Sequence, residues 1–116
     1  MLADDNLAAL AAAGGTAVSA AMTTGAWPAA RNGIIRLFSV HGLHRPAVIR
    51  AQLDGGAALL ELASQPDLAR KGLASLWELE LALLLKENPA AEAELRQLVT
   101  EIGTSLAGER HRRWAG

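Results

Sequence analysis

The segment from Pro66 to Asn88, PDLARKGLASLWELELALLLKEN, carries more bulky apolar surface than any other window of its length in the chain. At about 100° per residue, Leu73, Leu76, Leu79, Leu83 and Leu84 share one broad arc, which Trp77 and Leu81 widen further. Lys71, Ser75, Glu78, Ala82 and Lys86 form the opposite strip. A surface helix needs an apolar stripe of roughly 100°, so a helix with a much wider one must pack against several neighbours at once. The pattern predicts a helix over 66–87 at the centre of a bundle, with the arc through Leu76 turned to the core.

Glu80 falls inside that arc, where a carboxylate is costly unless it is paired or hydrogen-bonded. Three readings are open. It lies near a gap between helices and reaches solvent, it is partly buried and paired, or it serves a ligand or a reaction. The third needs convergent polar partners.

The chain around this segment is long enough, at 116 residues, to bury a core as one domain. It has no cysteine, which excludes disulfides, thiolate metal sites and cysteine nucleophiles. It also has no tyrosine, and its aromatics are three Trp and one Phe, so Leu and Ala must build the core. That favours closely spaced helices over a sheet. The net charge of −1 provides no global field toward nucleic acid or anionic lipid. Charge is nevertheless uneven: residues 31 to 50 hold Arg31, Arg36, Arg45 and Arg50 with no acid, whereas residues 66 to 109 are predominantly acidic. Attraction between helices, within the fold or between subunits, is the simplest use of that asymmetry.

Asp4, Asp5 and Asn6 are suited to a helix start. No charged residue then occurs from Leu7 through Ala30. A helix without a charged face is expected to be surrounded by protein or lipid. Ala11, Gly14, Gly15, Val18 and Met22 form its candidate interface, lined with small residues that let another backbone approach. The interruptions at Gly14-Gly15 and Thr23-Thr24-Gly25 argue against a membrane span, and the acids at its start argue against a signal peptide.

Gly25 and Pro28 mark a break before a second helix over about 27–40, with Trp27, Ile34 and Phe38 on one face and Ile35 at its edge. Arg31 lies in the same stripe, one turn after Trp27. It either snorkels, its stem covering apolar surface, or pairs with Glu80, an arrangement that would let both charges be tolerated; Arg36, Arg50 or solvent are the alternatives for Glu80. His41 and His44 flank a turn at Gly42, but no carboxylate or cysteine beside them supports a metal site. A third helix runs from Pro46 to about Ala63 with Ile49, Leu53 and Leu60 inward. Its Gly55-Gly56 pair weakens the helix or admits a neighbour, and is not a phosphate loop, since the strand and the Gly-Lys-Ser/Thr terminus are missing. Asn88 and Pro89 start a last helix with Leu95, Leu98, Val99, Ile102 and Leu106 on one face, expected to stop at Gly108. Residues 109–116 then form a short basic tail to a single helical domain over 1–108.

The run Gly25-Ala26-Trp27, the basic R-x-x-x-x-R-L-F from Arg31 to Phe38, and E-N-P-A-A-E-A-E-L-R-Q-L-V from Glu87 to Val99 together resemble the small, all-helical, functionally uncharacterised proteins common in actinobacterial genomes. That resemblance implies a helical adaptor or effector-associated module and brings no cofactor or catalytic residue with it.

The sequence therefore predicts an all-α bundle of four to five antiparallel helices. With no nucleophile-base spacing it is expected not to be an enzyme, to bind no metal or cofactor, and to act in the cytoplasm. The leading expectation is a protein-interaction or oligomerisation module, self-associating through the first helix. The competing one is a membrane-active effector that inserts that helix. Nucleic-acid binding through the basic second helix is the weakest.

Overall fold

A computed structural model describes the backbone of residues 2–41 and 46–115, and the side chains of residues 6–41 and 46–109. Five helices account for it: α1 (Leu2–Ala21), α2 (Trp27–His41), α3 (Pro46–Leu62), α4 (Pro66–Glu87) and α5 (Glu92–Ala115), with a 3-10 turn at Pro89–Ala91 leading into α5. All four prolines lie in the first turn of a helix or of that 3-10 turn, where a missing N–H is harmless. Between α1 and α2, Thr24 closes the corner: its hydroxyl donates to the Ala21 carbonyl at 2.9 Å and accepts the Ala26 N–H at 3.1 Å. His44 and Arg45 lie outside the described residues.

α1 lies along α4 over most of its length and also packs on α5 and α2. α1 and α4 run antiparallel, because Leu7 and Ala8 adjoin Ala82, Leu85 and Lys86, whereas Ser19 and Ala20 adjoin Asp67 and Arg70. The approach is close because α1 is built of small residues. A Cβ on Gly15 would collide with the Ala74 carbonyl and would lie 2.8 Å from the Glu78 nitrogen; one on Gly14 would lie 2.6 Å from Leu81 Cδ1. The one fully buried hydroxyl on α1, that of Ser19, donates back to the Thr16 carbonyl at 3.1 Å, so no orphan is left in that seam.

α2 and α5 form a second antiparallel pair, with Gly33 against Leu98 and His41 reaching Glu94. α3 closes the bundle over α2 and α4. There Gly56 lets the Leu73 and Met22 side chains in to 3.1 and 3.2 Å of its would-be Cβ, one of the two roles open to the glycine pair, whereas Gly55 meets nothing within 4 Å. At the centre, Trp77 is fully buried and meets Phe38 edge to face, ring centroids 6.3 Å apart at 72°. Such a pair adds about 0.5–1.5 kcal/mol beyond area burial.

Two expectations about the elements are corrected. α5 does not stop at Gly108 but continues to Ala115, because one glycine lowers helix stability by only about 1 kcal/mol when nothing else breaks the helix. More consequentially, α4 is turned about its axis from the predicted setting. Its buried residues are Leu73, Trp77, Leu81, Leu84 and Leu85, while Leu76, Leu79 and Leu83 are exposed. The backbone of α1 at Gly15 holds the Ala74 and Glu78 side of α4 inward, which leaves the Leu76 side open.

Candidate interaction surface

The small-residue face expected to join subunits is already occupied within the chain. Ala11 and Val18 are fully buried, Met22 nearly so, and Gly14 and Gly15 are pressed against Leu81 and the α4 backbone. Self-association through Ala11, Gly14, Gly15, Val18 and Met22 would first require α1 to leave α4. That expectation is therefore corrected: the chain's own α4 fits the groove that the small residues leave.

The expected pair of Arg31 with Glu80 is corrected as well. Arg31 grips Asp54 of α3 with both arms of its fork, Nε to Oδ1 at 2.7 Å and Nη2 to Oδ2 at 3.0 Å. Asp54 faces α2 across the α2–α3 seam at the surface, so neither charge has to be desolvated as a deeply buried pair would be. These hydrogen bonds, partly offset by desolvation and helped by the charges of Arg31 and Arg50, hold the Asp54 carboxyl below the usual carboxylate range. Glu80 is half-buried and has no ion pair among the described residues. This matches the solvent-reaching reading of that residue. The surface pair was missed because Asp54 stood beside a glycine pair in sequence and not opposite any visible apolar stripe.

Two polar atoms, Gln52 Oε1 on α3 and Trp77 Nε1 on α4, are buried without a hydrogen-bond partner among the described residues. Each such group costs about 1–3 kcal/mol. No cluster of metal-ligating side chains occurs among the described residues, and none of their helices is long and apolar enough to cross a membrane. The surface depressions are open and lined by scattered side chains; the one over Pro89, Glu92, Arg96 and Thr100 lies on the solvent side of α5.

The feature that stands apart is the outer face of α3 and α4. On α4, Leu68, Gly72, Leu76, Leu79 and Leu83 fall within about 80° of one another. On α3, Val48, Ala51, Gly55, Leu59 and Leu62 do the same. The six leucines are between 41% and 86% exposed, and none of these ten positions carries a charge. Lys71 flanks the α4 stripe and Lys86 ends it, in line with Leu68, while Arg50 and Glu61 lie on the far side of α3. Together the leucines and Val48 present on the order of 700 Å² of apolar surface, more than the few hundred Å² that a monomer normally leaves open. The signal for this face was present in the sequence as the excess width of the α4 apolar arc.

The fold and this surface define an all-α helical bundle with one open leucine face. Comparison with protein-family models, with curated proteins and with solved structures finds no match.

Proposed function

We propose that this chain is a small helical protein-interaction module whose working surface is the leucine face of α3 and α4. The observation that carries the proposal is the uncharged double stripe itself: six leucines held on two rigid helices and left in water. Stabilising the monomer gives no reason for them, since Leu76, Leu79 and Leu83 add little to its core. Contiguous apolar patches of this size mark contact sites for other macromolecules. The reading keeps the expected class of function and moves it from α1 to α3 and α4. Insertion of α1 into a membrane is the poorer reading, because its apolar face would have to be withdrawn from Leu81 and Leu95. The proposal includes no catalysis and places the module in the cytoplasm.

The test is a photo-crosslinking amino acid placed at Leu79 and, as a control, at Thr100 on the outer face of α5, in the full chain expressed in cells. Protein adducts that form from position 79 and not from position 100 are expected. Equal labelling, or none, from both positions would sink the proposal.

A further inference from the structure

We infer that the occupant of the α3–α4 leucine face is a second copy of this chain, docked about a two-fold axis; this rests on the interaction reading above and names its partner. At four helical glycines a neighbour fills the space that a side chain would take: Leu81 at Gly14, the α4 backbone at Gly15, Leu98 at Gly33, and Leu73 with Met22 at Gly56. Gly55 and Gly72, exposed like Gly103, have nothing within 4 Å of a would-be Cβ. Each lies mid-helix, where glycine weakens the helix by about 1 kcal/mol relative to alanine. Each is also centred in a leucine stripe. Gly72 stands four residues from both Leu68 and Leu76, and Gly55 four residues from both Ala51 and Leu59. The rows Leu68-Gly72-Leu76 and Ala51-Gly55-Leu59 are therefore ridges with a notch, the form that interlocks when two helices pack along their i±4 rows.

Two properties select a second copy over a different protein. The face carries both the knobs, Leu59, Leu76 and Leu79, and the notches, Gly55 and Gly72, so a two-fold rotation sets the knobs of one copy over the notches of the other. Its apolar area is also close to the roughly 800 Å² that each partner contributes to a standard dimer. Its ten apolar positions offer no charge with which to specify an unlike partner.

The experiment is analytical ultracentrifugation of the purified full chain over about 1 to 100 µM, the weak end of affinities for an interface of this size. The expected result is a concentration-dependent species of twice the 12.1 kDa chain mass. Leu79→Glu should weaken dimerisation at least about tenfold. Gly72→Ala should weaken it too while raising the melting temperature of the dilute monomer, a combination that general misfolding cannot produce. Thr100→Glu should leave dimerisation unchanged. A monomer throughout the range, or a dimer that withstands both Leu79→Glu and Gly72→Ala, overturns the inference. If the chain is monomeric yet position 79 still crosslinks to another protein, the second copy is wrong and the interaction reading stands. A monomer without adducts removes both. Should Leu79→Glu fail to fold, Leu62→Glu, at a position 86% exposed, takes its place.

Discussion

Replacing Gly15 with alanine should unfold this protein more readily, although alanine is the better helix former. The added methyl would lie 2.8 Å from the Glu78 nitrogen, 3.2 Å from the Glu78 Cα and closer still to the Ala74 carbonyl oxygen. Favourable contacts between heavy atoms begin near 3.5 Å, so α1 must retreat from α4 by on the order of 1 Å. None of the opposing atoms is the end of a flexible side chain, which puts the strain at about 3 kcal/mol, the upper part of the usual overpacking range. Alanine returns about 1 kcal/mol of helix propensity. The net loss is then about 2 kcal/mol, or about 8 °C in melting temperature for a domain of this size. Gly103→Ala is the matched control, because nothing lies within 4 Å of its would-be Cβ, and it should stabilise by up to about 1 kcal/mol. Urea unfolding followed by tryptophan fluorescence, together with thermal melts at one low protein concentration, measures both. A Gly15→Ala protein that melts at or above the parent temperature would refute the close approach of α1 to α4.

Leu81→Ala should lower stability by about 2–5 kcal/mol, whereas Leu76→Ala, on the open side of the same helix, should cost less than about 1 kcal/mol; equal losses by denaturant titration would contradict the orientation of α4. The Asp54 carboxyl, held below its unfolded value by Arg31, adds stability that is present above the ordinary carboxylate pKa of about 4 and disappears as pH falls through the folded value. Asp54→Asn should therefore flatten the acid limb of the stability profile, and a cycle of Arg31→Met with Asp54→Asn should show coupling that Arg31→Met with Glu80→Leu does not. Coupling in the second cycle alone would restore the pairing with Glu80.

Helix positions were legible because their causes are local. Pro28, Pro46, Pro66 and Pro89 fix where helices can begin, and the periodicities of Ile34 with Phe38, Ile49 with Leu53 and Leu60, and Leu95 with Ile102 each leave one possible inner face. The all-α class followed from the same information. For α4 the orientation did not follow, because apolar residues cover most of its circumference and turning it by a third of a revolution hardly changes what a periodicity can detect. Only the α1 backbone, entering at Gly15, chose Trp77 and Leu81 over Leu76 and Leu79. The destination of the small-residue face was open for a similar reason: Ala11, Gly14 and Val18 specify that a backbone comes close, without specifying whose. The partner of Arg31 depended on which helix stood beside it, and that was settled when α3 folded over α2 and brought Asp54 into reach of the guanidinium. Composition thus determined that there is more leucine surface than one bundle can cover, and the packing of α1 on α4 decided which leucines remain outside.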